Sequence, residues 1–194
     1  MSLLNRHGQR SLYEKRRTGA LRRPFLRLPA KIGLFVLAVV PMLAFFWNAT
    51  RPQVSVIAED GLLTSCPADA GMEFSTSFIH SVQKTPVEEF FAVNETKDGF
   101  VLLRTRYRSY GVGLPFLPTD GSFHREGDSF VMDGMNRHMP EIQFRPGLLT
   151  DLTIRLPKEE ILLADRVPIG SLVLVAIVPN WRIWLNCFNL PGKG

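Results

Sequence analysis

A charge-free run of sixteen apolar residues is the feature that most constrains how this chain folds. The run, IGLFVLAVVPMLAFFW, occupies residues 32–47. It is slightly shorter than the ~20 residues with which a helix crosses a bilayer, and the uncharged and long-stemmed residues on either side extend it. The sequence therefore predicts a transmembrane helix over residues 30–50, within which Pro41 is tolerated.

The basic residues are concentrated before this run. Through residue 51 the chain has ten Lys and Arg against one acidic residue, a balance of +9, whereas the remainder has thirteen against seventeen, a balance of −4. The positive-inside rule therefore predicts that residues 1–29 form a cytoplasmic arm, which can contact anionic lipid. Because the basic residues precede an apolar helix instead of lying on a folded face among aromatic residues, we expect no nucleic-acid partner.

A cleaved signal peptide also combines a basic region with an apolar run. Here the basic region is about twice the usual length, and no pair of small residues marks a cleavage site. The best candidate site ends at Ala49, but bulky Trp47 lies two positions earlier. We therefore expect an uncleaved anchor, with residues 52–194 outside the cytoplasm.

Beyond residue 52 the helical period gives way to alternation. Apolar and polar residues alternate between residues 72 and 80, which is typical of a strand with one buried face. Similar short runs predict strands at residues 54–58, 72–80, 87–93, 100–107, 129–132, 151–156, 160–163 and 171–178. Many short strands separated by turns predict a mainly β domain, an antiparallel sandwich or small barrel.

The last of these runs, SLVLVAIV at residues 171–178, has two interpretations. It is eight residues long, rich in β-branched residues and bounded by Gly170 and Pro179, which favours a buried strand over a second membrane span. Trp181 and Trp184 follow it, however, and they are typical of a membrane interface. Membrane contact by residues 171–190 is therefore kept as an alternative.

The two cysteines, Cys66 and Cys187, both fall in the β-rich part. They can pair in an oxidising compartment if their Cα atoms lie ~4.4–6.8 Å apart, or remain free thiols. The sequence contains no Cys-x-x-Cys motif and no Cys/His cluster, so we expect no metal and no other cofactor.

The segment FIHSVQKTPVEEF, residues 78–90, places polar residues on both sides of a turn. His80 and Ser81 end one predicted strand, and Glu88 and Glu89 begin the next. If the two strands form a hairpin, the imidazole comes near the level of a carboxylate, which suits a switch or a ligand-binding site. An ordinary cross-strand polar pair is the structural alternative.

The segment RSYGVGLP, residues 108–115, contains closely spaced glycines. Gly111 and Gly113 precede Pro115, and glycine lets another backbone or a ligand approach closely. The segment lacks the GK[ST] signature of a phosphate loop, and a turn or bulge at a strand end explains it equally well.

Arginines alternate along the preceding strand. Arg104 and Arg106 project to one face of the predicted strand at residues 100–107. Such a face can hold a carboxylate ligand, or it can simply be solvated.

The two segments in this order, HSVQKTPVEEFF and then SYGVGLP after an N-terminal anchor, resemble a family of small bacterial proteins of unknown function. Members are commonly encoded beside tripartite (TRAP) transporters with TAXI-type solute-binding proteins. The resemblance covers roughly residues 54–178 and implies no catalytic residue. The matching positions are His80, Ser81, Val82, Pro86, Glu88 or Glu89, Ser109, Gly111, Gly113, Leu114 and Pro115.

The resemblance implies a location in the bacterial inner membrane, with a cytoplasmic N-terminus and a periplasmic β-rich domain. It also implies a transporter permease, and possibly its solute-binding protein, as partners. We therefore expect an accessory or binding subunit. The alternatives are a periplasmic module that binds carboxylates and a hydrolase based on His80 and Ser81, although adjacent strand residues point to opposite faces.

Overall fold

The structure, a computed structural model, describes residues 30–109 and 121–188. The predicted apolar helix is present as α1 (Ala30–Thr50), with Pro41 inside it. Its segment Ile32–Thr50 is long and apolar enough to cross a membrane, and 6% of the apolar window is buried within the protein. A core helix of a globular domain buries at least one face, so α1 is a candidate membrane helix.

The chain divides into two compact units within α1. Of the described residues, 30–42 belong to the first unit and those from Leu43 onward belong to the second. The last turns of α1 therefore belong to the same unit as the β-domain. Arg51 is the one residue between the end of α1 and the first strand.

The described residues beyond α1 form eleven strands, one 3₁₀ helix (Leu163–Asp165) and one short α-helix, which confirms the predicted mainly β fold. The strands are β1 (Pro52–Ala58), β2 (Gly61–Pro67), β3 (Glu73–Ile79), β4 (Pro86–Val93), β5 (Phe100–Tyr107), β6 (Ser122–Glu126), β7 (Ser129–Met139), β8 (Glu141–Phe144), β9 (Thr153–Leu156), β10 (Glu159–Leu162) and β11 (Val173–Pro179). Helix α2 (Asn180–Trp184) follows β11.

The strands form two antiparallel sheets. The smaller sheet has the order β2-β1-β11-β8, and the larger has the order β10-β9-β3-β4-β5-β7-β6. One apolar core contains side chains of both sheets, as in a β-sandwich. Its aromatic centre is Phe74, whose ring lies 5.2 Å from those of Phe91 and Phe100.

The smaller sheet is covered on both faces, which explains why its central strands are apolar throughout. One face of β1 and β11 packs into the main core, and the other contributes Ile57 and Leu174 to a second cluster. Ile183 of α2 and Phe188 pack against this second cluster. The run at residues 171–178 is therefore a buried strand, as predicted, and the interpretation as a second span is wrong.

Several elements differ from the sequence-based prediction. Strands β2, β6 and β8 were not expected, and β7 extends well beyond the predicted residues 129–132. The half-buried residues of β2 do not alternate clearly, and β6 falls in a stretch rich in glycine and proline. Cys66 and Cys187 are free thiols, the first half-buried and the second exposed.

The strand directions define two ends of the sandwich. The amide of Ala68 donates to the carbonyl of Pro52 at 3.1 Å, so the chain enters β3 beside the start of β1. We call this the proximal end. Strand β3 runs away from it over about 23 Å, β4 returns and β5 runs out again, so residues 80–85 lie at the opposite, distal end.

Candidate functional site

The outer face of the larger sheet carries a continuous row of charged side chains, which we call the charged face. These side chains point away from the core because they alternate with buried neighbours along their strands. They come from six of the eleven strands. Its members, in the order in which each contacts the next, are Glu160, Arg155, Glu88, Arg106, Glu126, His124, Asp133 and Arg104.

Arg106 is the centre of this row. Its Nη1 lies 3.6 Å from Oε2 of Glu88, and its Nη2 lies 3.0 Å from Oε2 of Glu126. Glu88 and Arg106 are register partners across β4 and β5, so the pairing of the strands brings the two charges together. The guanidinium thus joins β4 to the edge strand β6.

On one side of Arg106 the row continues through Arg155. Its Nη1 donates to Oγ of Ser77 at 3.0 Å and lies 3.9 Å from Oε1 of Glu88. Its Nε lies 3.2 Å from Oε1 of Glu160 on the neighbouring strand. Arg155 therefore links the β9–β10 hairpin to the centre of the sheet.

On the other side the row continues through His124. Its Nε2 lies 3.2 Å from Oε1 of Glu126 and 3.7 Å from Oδ2 of Asp133. The contact with His124, followed by that with Arg106, lowers the pKa of the Glu126 carboxyl. Arg104 completes the row, with its Nε 3.6 Å from Oδ1 of Asp133 and its guanidinium 4.5 Å from the centre of the Phe90 ring.

The charged face combines near-neutral charge with accessible polar groups. Four carboxylates face three guanidiniums, a balance of −1, and protonation of His124 brings it to zero. All of these side chains are at least a third exposed. Ion pairs of this exposure are screened by solvent, so the row contributes little to stability relative to its size.

A pocket of about 250 Å³ adjoins the charged face at the distal end of β4 and β5. It is lined by Pro86, Glu88, Arg106, Tyr107, Arg108 and Ser129. Arg108 is exposed and forms no ion pair with any residue that the structure describes. The pocket can therefore offer a cation to an anionic group.

His80 caps the turn between β3 and β4. Its Nδ1 accepts the amides of Val82 at 3.3 Å and Gln83 at 3.2 Å. The proton of the neutral imidazole therefore lies on Nε2. Lys84 closes the same turn with φ of 55°, and its amide donates to the His80 carbonyl.

The expected approach of His80 to the two glutamates is wrong. The hairpin forms, but its register places Ser77 opposite Glu88 and Thr76 opposite Glu89. His80 lies three residues beyond Ser77 and pairs its backbone with Thr85 instead. Ser81 is exposed in the turn.

The two glutamates have different surroundings because neighbouring strand residues face opposite ways. Glu88 belongs to the charged face, whereas Glu89 points to the core side, where its register partners are Thr76 and Thr105. Burial raises the pKa of the Glu89 carboxyl, while the Thr76 hydroxyl and the Arg137 guanidinium act in the opposite direction.

The two sequence segments meet at the distal end. Oγ of Ser109 donates to Oε1 of Gln83 at 3.1 Å, which joins the strand end after β5 to the His80 turn. Gly111, Gly113 and Pro115 lie outside the described residues. The predicted arginine face is present: Arg104 and Arg106 share the charged face, and carboxylates of this chain occupy both.

A second and more open hollow lies at the proximal end, beside the turn between β4 and β5. Within that turn Asp98 Oδ1 accepts from Thr96 and from Asn94, both at 2.6 Å. These hydrogen bonds, with that of Thr96 the larger, lower the pKa of Asp98. The polar groups of the turn thus satisfy one another, as in a structural loop.

Sequence reasoning missed five members of the charged face: Glu126, Asp133, Arg155, Glu160 and His124. His124 lies in β6 and His138 in β7, at positions outside the strands that the sequence predicts. The alternation of Ser122, His124 and Glu126 is typical of a strand, but the neighbouring glycines and prolines indicate a loop. The contact of this strand with Arg106 depends on the order of the strands in the sheet, which a local sequence pattern does not predict.

Residues 74–163 match the model of a protein family described as a domain of unknown function, DUF1850. The match contains the whole charged face, the His80 turn and the distal pocket. Neither the curated proteins nor the solved structures give a match. Among the described residues, no three His, Cys, Asp or Glu side chains are grouped as metal ligands.

Proposed function

We propose that this chain is a membrane-anchored accessory or binding subunit that acts outside the cytoplasm beside a TRAP-type secondary transporter. The observation that carries this proposal is the charged face, displayed on a domain that follows α1 after a single residue. So short a connection keeps the domain next to the bilayer. A partner of the charged face would therefore be a membrane protein or a protein bound to one.

The orientation of the anchor follows from the charge asymmetry. The basic residues before α1 favour a cytoplasmic N-terminus, which leaves the β-domain on the other side, in the periplasm of a bacterial inner membrane.

The extent of the charged face suits a protein partner better than a small ligand. Seven strands at a spacing of about 4.8 Å give the sheet a width of about 29 Å, and the charges alternate in sign across most of it. A surface with alternating charges binds a partner whose charges are complementary in position. It disfavours the binding of partners that place like charges opposite one another.

The transporter as the partner rests on the resemblance of the segments HSVQKTPVEEFF and SYGVGLP to proteins encoded beside TAXI-type TRAP systems. In the structure the described parts of these segments adjoin the charged face at the distal end. We propose that the permease contacts the charged face and that its solute-binding protein contacts the distal end.

The test is extraction of the tagged full chain in mild detergent, followed by identification of the proteins that co-purify. We expect a multi-pass permease with the wild type, and a strong reduction with Arg106→Glu, which places three carboxylates together. Arg125→Glu is the matched control, because Arg125 alternates with His124 and Glu126 and so lies off the charged face. A clean monomer, or equal loss in both variants, would contradict the proposal.

A second candidate function, the binding of a small carboxylate, is supported by Arg108 in the distal pocket. Arg104 and Arg106 are weaker candidates than their sequence suggests, because a ligand must displace their present partners. Thermal unfolding with and without millimolar succinate tests this candidate. A stabilisation that Arg108→Ala abolishes would favour it, and an unchanged midpoint in the wild type would oppose it.

A further inference from the structure

Helix α2 lies beside the last turns of α1. The amide of Asn180 donates to the carbonyl of Arg51 at 2.9 Å, and its side-chain Nδ2 lies 3.3 Å from the carbonyl of Asn48. These contacts tie the start of α2 to the end of α1. Both partners belong to the second compact unit of the chain.

From this point α2 turns back along α1. The ring of Trp184 lies 5.6 Å from that of Phe45, with an angle of 36° between the ring planes. Phe45 precedes the end of α1 by five residues, about 7.5 Å along the helix axis. Trp184 is therefore level with a residue inside the apolar segment and not with the helix end.

The side chains of α2 divide into an inner and an outer set. Ile183 packs against the second apolar cluster of the smaller sheet. Trp181, Trp184 and the following Leu185 point outward, with 40%, 46% and 66% of their surface exposed. Large apolar side chains exposed together mark an interaction surface.

The outer set continues the exposed aromatic residues of α1. Phe46 and Trp47 are also exposed. The ring contact between Phe45 and Trp184 makes the exposed apolar surface continuous from α1 to α2. Arg182 lies beside this surface, with its guanidinium 5.8 Å from the Trp181 ring. Tryptophan with a neighbouring arginine is typical of the boundary between acyl chains and phosphate groups.

We infer that Trp181, Trp184 and Leu185 insert into the interfacial layer of the bilayer, so that the β-domain rests on the membrane surface. This inference relies on the proposed function for the one premise that α1 crosses the bilayer. If Phe45 lies within the membrane, then Trp184, in ring contact with it, lies at the same depth. The phospholipid boundary is the occupant, since the surface is continuous with a lipid-facing helix.

The experiment measures the depth of single tryptophans in the full chain. A variant with Trp47→Phe and Trp181→Phe retains Trp184, and it is reconstituted into phosphatidylcholine–phosphatidylglycerol vesicles with or without brominated acyl chains. We expect the emission of Trp184 to fall about twofold or more with brominated lipid, as for an interfacial ring. A second variant, with Leu185→Trp and all three native tryptophans changed to Phe, should behave alike.

Two controls separate the possible outcomes. A single tryptophan introduced by Val82→Trp, at an exposed position of the distal turn, should not be quenched by brominated lipid. A variant that retains Trp47 alone reports insertion of α1. If Trp47 is quenched while Trp184 and residue 185 are not, the surface serves a protein partner and the inference is overturned. If Trp47 is not quenched either, the anchor itself fails, and the proposed function with it.

Discussion

Glu89 shows how the face of a strand decides what a carboxyl group does. Its neighbour Glu88 lies on the charged face between two arginines, whereas Glu89 points toward the core side of the same strand. Burial raises the pKa of Glu89. A carboxyl group of this kind stabilises the fold while protonated, and this contribution is lost as the pH rises through its folded-state pKa.

We predict that Glu89→Gln is more stable than the wild type at pH 7.5. The amide removes the ionisation that burial opposes, so the midpoint of thermal unfolding should rise by about 2–4 °C, equivalent to roughly 1 kcal/mol. The advantage should shrink as the pH approaches about 4.3, the ordinary pKa of a glutamate, because the wild-type carboxyl is then protonated too. Calorimetry at several pH values measures this.

Glu88→Gln is the matched control, since it makes the same chemical change on the opposite face of β4. It weakens the contacts of Arg106 and Arg155, so it should give no gain at pH 7.5. A gain of the same size in both variants would show that the effect does not come from the burial of Glu89.

The two free thiols are predicted to differ in reactivity. Cys187 is exposed, whereas Cys66 is half-buried, 3.9 Å from the sulfur of Met72, and burial raises its pKa. Because the thiolate is the nucleophile, a maleimide at pH 7.5 should modify Cys187 at least about tenfold faster. Mass spectrometry of the folded chain measures the two rates, and urea should equalise them. Equal rates in the folded chain would contradict the described burial of Cys66.

The turn between β3 and β4 is an element whose shape depends on one side chain. His80 accepts two backbone amides that would otherwise have no partner within the turn. Asparagine can accept the same amides with its side-chain oxygen, whereas alanine cannot. The imidazole therefore has a structural role here, separate from any contact with a partner protein.

We predict that His80→Ala lowers the free energy of unfolding by about 1 kcal/mol, and that His80→Asn restores about half of this loss. Urea denaturation gives both values. If the turn also binds the solute-binding protein, His80→Ala should weaken that association while His80→Asn retains most of it. No stability loss in either variant would mean that water replaces the imidazole as acceptor at no cost.

The elements predicted correctly are those whose pattern is local. The apolar run predicts α1, and alternation predicts β3, β4 and β5 almost to the residue. The register of the β3–β4 hairpin was not predictable in the same way, because the length of the turn sets it. The larger part of the charged face was also not predicted, since Arg155, which contacts both Glu88 and Glu160, lies on a strand that is distant from β4 in sequence.

In the whole molecule, the two ends of the sandwich carry different elements. The proximal end holds the termination of α1 together with α2, and the distal end holds the His80 turn, Ser109 and the pocket around Arg108. The distal end is therefore the end of the described domain farther from the last turns of α1. The charged face lies on the outer side of the larger sheet, whereas α1 leads into β1 of the smaller sheet.

Membrane topology is the prediction that concerns the whole chain. A reporter that is active only outside the cytoplasm should be active when fused after residue 194 and inactive when fused after residue 29. Nine basic residues before the apolar run favour this orientation. The same chain, recovered from the membrane fraction, should retain its N-terminal residues.

Replacement of Arg22, Arg23, Arg27 and Lys31 by Gln should lower the activity of the residue-194 fusion. Recovery of a soluble product that begins near residue 50 would instead identify α1 as a cleaved signal segment and remove the basis for an anchor.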